Sequence, residues 1–336
     1  MCMPRVASPS WTATFFTAAA IVVALVVALV AAAAAAGAPS GSAVAPFSYV
    51  ALGDSYSSGE GVRPFIDDGC HRSSRAYPTW VKRPGAAKTL YATASSGGQT
   101  GSVRKAAGVS WAFWACSGAR TANILPESLG GVPQRRAGQV VPGRKTQLDS
   151  ADLTGADLVT LTIGGNDAGF VEVLVLCAVS NCNTQAFEQG RRAIIDGVRP
   201  ALEEVYRATA AKAPRARILV LGYPELIPAS RAGQSCAALS AFRGEGQMLR
   251  RLGTHLNGTI EDAVQTVAKT GVKIEFVPAE ARFSGHEICG RKGPWLNAFV
   301  SSPIGLGVDP ASFHPNLAGQ RDGYGVAVNA ALARGR

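Results

Sequence analysis

Five short apolar runs rich in β-branched and aromatic residues, Phe47–Leu52, Val109–Ala115, Leu158–Ile163, Ile218–Leu221 and Val272–Val277, recur along the chain with longer stretches between them. Runs of this length without polar alternation fit strands buried on both faces. The longest intervening stretch, Thr184–Lys212, has helical spacing, with Phe187, Ala193, Ile194, Val198, Ala201, Leu202 and Val205 available for one broad apolar face and Pro200 expected to kink it. Leu239–Lys269 offers a second long helix. Strands that alternate with helices require parallel pairing through right-handed crossovers, so the expected fold is a three-layer α/β/α sandwich. The Gly- and basic-rich stretches Ser95–Gly108 and Gly130–Lys145 are expected as mobile surface loops leaving that framework.

The first 46 residues stand apart. Residues 15–36 carry no charge, follow a short segment containing Arg5, and lead into the small-residue stretch Gly37–Pro46. This is the pattern of a secretory signal, with cleavage expected after Ala36. The apolar segment is also long enough to span a bilayer, so an uncleaved anchor is the alternative. The expected organisation is a signal over 1–36, a spacer over 37–46 and one domain over 47–336, with no composition break inside it. Export places the protein outside the cell.

Of the 33 basic and 23 acidic residues only Arg5 falls within 1–36, which leaves a formal charge of +9 on the rest. A basic surface can contact anionic membranes or cell-wall polymers transiently. The Lys and Arg are scattered and not interleaved with aromatics, which argues against nucleic-acid binding. Six of the seven cysteines lie beyond the signal: Cys70, Cys116, Cys177, Cys182, Cys236 and Cys289. An even number in an exported chain argues for disulfides, whose pairing the count leaves open. There is no C-x-x-C, and no His lies beside Cys177 or Cys182, so no metal site is expected.

Three segments can carry chemistry. The first run leads into Gly53-Asp54-Ser55, which puts Ser55 at the carboxyl end of a parallel strand, where α/β folds place ligands and a helix N-terminus presents N–H groups. Gly164-Gly165-Asn166-Asp167 follows the third run; its glycines permit close approach, and the Asn166 amide is a neutral donor suited to an oxyanion. Phe313-His314-Pro315-Asn316 precedes a C-terminal helical stretch, Leu317–Leu332, with Asn316 as its N-cap and His314 as a candidate general base. His71, His255 and His286 fit structural roles, and Trp111, Phe113 and Trp114 fit the core.

Taken with Gly118 in Ala115-Cys116-Ser117-Gly118-Ala119, these blocks in this order resemble the GDSL/SGNH hydrolase family, and the six cysteines resemble its secreted Streptomyces-type lipases and esterases. The resemblance implies a flavodoxin-like sheet of about five parallel strands. It implies Ser55 as nucleophile, His314 as base, and an oxyanion hole of the Ser55 and Gly118 N–H groups with the Asn166 side chain. It also implies the pairs Cys70–Cys116, Cys177–Cys182 and Cys236–Cys289. One family feature is absent: the usual D-x-x-H would put Asp at 311, which here is Ala311, and Asp309 is too far upstream. In the subgroup resembled, a backbone carbonyl takes that place, here expected from Ser312. The implied activity is hydrolysis of lipid esters by a secreted monomer without cofactor or metal. A carbohydrate acetyl esterase on the same site is the alternative, and a non-catalytic cell-surface binding protein is a more remote one.

Overall fold

Tyr49, Val50 and Ala51 are at most 1% exposed, and Leu158, Val159 and Leu161 are wholly buried. Such residues can be satisfied only in the middle of a sheet covered on both faces. A computed structural model describes residues 45–335, apart from 101, 107, 137–138, 142–144, 230–243 and 301–307. Among these residues seven strands form one sheet: β1 (Phe47–Ala51), β2 (Gly98–Thr100), β3 (Val103–Ala106), β4 (Val109–Phe113), β5 (Leu158–Leu161), β6 (Arg217–Leu221) and β7 (Ile274–Val277). Their order is β7-β6-β5-β1-β4-β3-β2. The five strands expected from the apolar runs are all present and parallel, with Tyr49 of β1 opposite Trp111 on one side and Leu158 on the other. Their order matches the flavodoxin-like arrangement.

The remaining two strands correct the expectation for Ser95–Gly108. Instead of a surface loop, β2 and β3 form an antiparallel hairpin that extends the sheet beyond β4. Arg104 and Lys105 make β3 too polar to stand out as a strand, yet charged short strands suit a sheet edge. Within Gly130–Lys145, Arg135–Arg136 and Gln139–Val140 form a small separate antiparallel pair.

The helices that concern the site and the sheet's crossovers are α1 (Ser55–Ser58), α2 (Phe170–Val179), α3 (Gln185–Lys212), α4 (Gly246–Ala268) and α5 (Val326–Arg334), with other helical segments of three to seven residues between. Thr184 caps α3 by accepting from the Phe187 N–H at 3.2 Å. The helix runs through Pro200 without interruption. Its buried face consists of Ile195, Val198, Leu202, Val205, Tyr206, Ala208 and Thr209, whereas Ala193 and Ile194 point outward. The expected stripe was therefore misplaced at its N-terminal end: a run of three apolar residues, Ala193 to Ile195, does not reveal which member faces inward. α3 packs on α4, and α4 on β7. The second long helix starts at Gly246; its expected first residues, 239–243, lie outside the described residues.

Stepping from β1 to β5, β6 and β7 in one direction places the α3 and α4 crossovers on one face, and the opposite step from β1 to β4 uses the other face. There the 3₁₀ turn Tyr77–Trp80 meets Gly319–Gly325. This last segment departs from the uniform helix expected over Leu317–Leu332. It is π-helical, and its wider turn carries the wholly buried Gln320. Asn316 does cap the stretch, accepting from Gly319 N–H at 3.1 Å. These elements belong to the unit Pro46–Arg336. The expected signal over 1–36 and most of the spacer over 37–46 lie outside the described residues.

Disulfides join Cys70 to Cys116 and Cys177 to Cys182, with sequence separations of 46 and 5. Cys289 is disulfide-bonded, and Cys236 lies outside the described residues. Loop-closure entropy makes the longer bridge worth about 4 kcal/mol and the shorter about 2 kcal/mol. Urea unfolding should therefore show the Cys70→Ala/Cys116→Ala double variant losing about twice the stability lost by Cys177→Ala/Cys182→Ala. Equal losses would contradict this account.

Candidate active site

At the end of β1 the chain turns at Gly53, whose φ of +122° is accessible to glycine. A Cβ there would lie 2.6 Å from both Ser57 Oγ and the Thr162 carbonyl oxygen. The Gly53 peptide is held from several sides. Its N–H donates to Gln147 Oε1 at 2.8 Å, and its carbonyl accepts from Gln147 Nε2 at 2.8 Å and from Cys116 N–H at 2.9 Å. Asp54 then caps α1: its Oδ1 accepts from Tyr56 N–H at 3.0 Å and from the Thr162 hydroxyl at 2.6 Å, and its Oδ2 accepts from the Tyr223 hydroxyl. Burial raises the Asp54 carboxyl to about 6, against the pull of these donors. Ser55, 8% exposed, is the first residue of the helical turn.

His314 reaches this serine from the opposite end of the chain. Its Nε2 is 2.7 Å from Ser55 Oγ, and its Nδ1 is 2.9 Å from the Ser312 carbonyl oxygen. A carbonyl can only accept, so Nδ1 carries the proton and Nε2 presents its lone pair to the Ser55 hydroxyl. Phe313 adopts a left-handed φ of +63°, and its carbonyl accepts from the Tyr56 hydroxyl at 2.8 Å. Ser312 Oγ accepts from Val300 N–H at 2.9 Å, and Pro315 bridges to Leu296. The loop is thus fixed on both sides of the imidazole. Burial holds His314 below the ordinary imidazole value, opposed by the charge of Glu60 and by the Ser312 and Pro310 carbonyls. Neither nearby carboxylate is bonded to the ring: Asp309 Oδ1 accepts from Ala311 N–H at 2.8 Å, and Asp322 is paired with Arg321 at 2.7 Å.

Gly118 and Asn166 are brought in through the same framework. Gly118 has φ +79° and open space where a Cβ would be. It follows Cys116, which is tied to Cys70 by the disulfide and to Gly53 by its N–H. Among the described residues, neither the Ser55 nor the Gly118 N–H has an acceptor. Asn166 Nδ2 donates one hydrogen to the Ala119 carbonyl at 2.9 Å. The amide has a second hydrogen, so this bond anchors the donor without using it up. Asp167 accepts from the Thr121 N–H at 3.1 Å and hydroxyl at 2.6 Å, and the Tyr223 hydroxyl accepts from Gly165 N–H at 3.0 Å.

The other histidines are engaged elsewhere. His71 Nδ1 lies 2.8 Å from Glu60, His255 pairs with Asp196, and His286 stacks on Trp295 at 3.7 Å between centroids. Trp111 and Phe113 are buried in the core and Trp114 is half-buried against it. No cluster of three or more His, Cys, Asp or Glu able to hold a metal occurs among the described residues. Gln147, Tyr223, Gln320 and Tyr56 were not singled out from the sequence. The first three lie in segments without a catalytic motif, and Tyr56 sits inside the Ser55 motif with nothing to indicate its distant partner.

A serine bonded to a buried neutral imidazole, at the topological switch point of a doubly wound sheet, has the arrangement of a hydrolase that works through an acyl intermediate. Residues 51–321 match the GDSL-like Lipase/Acylhydrolase family. The chain is 33% identical to a lipase of Streptomyces rimosus over 84% of its own length and 86% of that protein's. It is 32% identical to Lipase 1 of Streptomyces coelicolor over the same two shares. Among solved structures it resembles the phospholipase A1 of Streptomyces albidoflavus NA297, with TM-score 0.60, 30% identity, and 85% and 99% of the two chains covered. It also resembles the extracellular lipase of Streptomyces rimosus, with TM-score 0.59, 28% identity and the same coverage. The chain belongs to the GDSL-like lipase/acylhydrolase family and is a carboxylic-ester hydrolase.

Three substitutions probe the site from opposite sides. Asn166→Ala should lower kcat by about 10²–10³ with little change in KM, as for loss of one oxyanion donor. Full kcat would place the donor elsewhere. Asp309→Asn and Asp322→Asn should each keep activity within about tenfold, because losing a true triad carboxylate costs on the order of 10⁴ in kcat. A fall of about 10³ in either folded variant would show that a carboxylate, not the Ser312 carbonyl, orients His314.

Proposed function

We propose that the protein is a secreted lipid-ester hydrolase in which Ser55 is the nucleophile and His314 the general base. The observation that carries this reading is the chain Ser55 Oγ, His314 Nε2 and Nδ1, and Ser312 carbonyl, with links of 2.7 and 2.9 Å. His314 removes the Ser55 proton as Oγ bonds to the ester carbon. The oxyanion accepts from the Ser55 N–H, the Gly118 N–H and the free hydrogen of Asn166 Nδ2. The imidazolium then protonates the leaving alcohol, which leaves an acyl-Ser55. Water attacks this ester, giving its proton to His314, and collapse of the second tetrahedral intermediate releases the acid and restores Ser55.

Lipid as the substrate class is supported by the surface near these groups. α2 follows the Asn166 loop directly and leaves Val171, Val175 and Leu176 between 44% and 50% exposed. Phe299, Val300 and Val308, which precede the Ser312–His314 loop, are also exposed. Apolar side chains on both segments suit an acyl chain or a lipid surface better than an acetylated sugar. The relatives named as lipase and phospholipase A1 support the same reading. Export is supported by the uncharged stretch 15–36, by the disulfides and by the relative described as extracellular. The bonded Cys289 fits the third pair with Cys236. No helix of the described residues is long and apolar enough to cross a membrane; residues 15–36 are not among them.

Hydrolysis rates across p-nitrophenyl esters from acetate to palmitate, phosphatidylcholine vesicles and acetylated xylan test the substrate class. Long-chain and vesicle substrates should lead; a preference for acetylated xylan would replace the lipid reading with the carbohydrate one. Val175→Asp should reduce turnover of vesicles by about tenfold or more, the free energy of one buried apolar side chain, and leave p-nitrophenyl acetate unchanged. An equal effect on both substrates would contradict a lipid-facing role for α2.

A further inference from the structure

Glu60 is a buried carboxylate that the mechanism above does not use. It is 2% exposed, both of its oxygens lie 2.8 Å from His71 Nδ1, and its N–H donates to the Ser55 carbonyl at 3.1 Å. The next residue lies against the base. A Cβ on Gly61 would be 3.0 Å from His314 Cβ and 2.4 Å from the Pro315 carbonyl oxygen. Asn297 ties the two segments together. Its Nδ2 donates to the Gly61 carbonyl at 3.0 Å and to the Ala311 carbonyl at 3.1 Å, and its N–H donates to the His314 carbonyl at 2.9 Å.

A backbone carbonyl fixes the His314 tautomer but brings no net charge to the imidazolium that forms during reaction. Other charged groups on the surrounding elements are committed elsewhere. Asp54 is bonded to Thr162 and Tyr223, Asp309 caps its own turn, and Asp322 is paired with Arg321, with Arg282 bonded to the Asp322 carbonyl. Of these groups Glu60 is the one whose charge favours the protonated ring of His314, offsetting part of the effect of burial.

We propose that Glu60 is a positioning residue of the reaction: held by His71 beside the His314 loop, it supplies through space the negative charge that a triad carboxylate would supply by contact. The proposal rests on His314 as the base. Glu60→Gln keeps an oxygen for the His71 N–H but removes the charge. The acid limb of kcat/KM for a soluble ester should then move to lower pH by about 1 unit, the lower end of the effect of one nearby charge. The plateau should fall by the corresponding factor, up to about tenfold, with KM unchanged. Glu60→Asp, which keeps the charge, should restore both.

A Glu60→Gln enzyme whose melting temperature drops while the limb and plateau stay in place would overturn the proposal, because that is a structural role alone. Should this variant not fold, His71→Asn decides, since asparagine tolerates the left-handed φ of +48° and leaves the carboxylate in place. Its limb should stay or rise, and a downward shift would contradict the proposal. If His314→Ala retained turnover, the reading of the base itself would fail. An unmoved limb beside an inactive His314→Ala would remove only the role of Glu60.

Discussion

The site depends on the Gly53 peptide. Both of its polar groups are bonded to Gln147, its carbonyl also takes the Cys116 N–H, and the Cβ position is filled by Ser57 and Thr162. One glycine therefore sets three things together: the direction in which Ser55 leaves β1, the height of the Gly118 loop, and the packing of the turn against β5. A side chain there would face a strained φ and clashes with backbone that has nowhere to move. The donors proposed for the oxyanion stand on strand ends and a disulfide-tied loop, so their orientation is fixed before substrate arrives.

On the histidine side, the constraint is to hold an imidazole against the serine without a carboxylate. The Ser312 carbonyl holds Nδ1 at 2.9 Å, and burial lowers the ring's proton affinity. Tyr56, the residue after Ser55, donates to the Phe313 carbonyl, so the Ser55 turn itself anchors the loop carrying His314. Gln320, in the π-helical turn, bonds the Tyr56 carbonyl at 3.1 Å and the Tyr77 N–H at 2.7 Å. The C-terminal segment thereby braces the turn that presents Ser55. Asp54 is costly to ionise, and its bonds to Tyr56, Thr162 and Tyr223 join the Ser55 turn to the segment bearing Asn166.

The parallel strands were legible because each is a dense apolar run, and Ser55, Asn166 and His314 because each follows a strand or precedes a helix in a short motif. Polar positions that act over long separations were not. Gln147 and Tyr223 are, respectively, 94 and 169 residues from the groups they hold in the Ser55 turn, and nothing local distinguishes them from surface residues. Charge and glycine mask the edge strands of the β2–β3 hairpin, so their sequence has the look of a loop. The inward side of α3 was blurred by adjacent apolar residues, of which Ile195 is buried and Ile194 is 45% exposed. The motif marks Asn166 as a donor but not its bond to the Ala119 carbonyl, which takes one of the two amide hydrogens.

A crystal structure of the enzyme inactivated by an alkyl phosphonate tests the central claim most directly, because the adduct reproduces the tetrahedral intermediate. Phosphorus should be bonded to Ser55 Oγ. One phosphonyl oxygen should lie about 2.7–3.1 Å from the Ser55 N, the Gly118 N and Asn166 Nδ2. His314 Nδ1 should remain on the Ser312 carbonyl. Phosphorus on another serine, or a carboxylate moved into contact with Nδ1, would contradict the account.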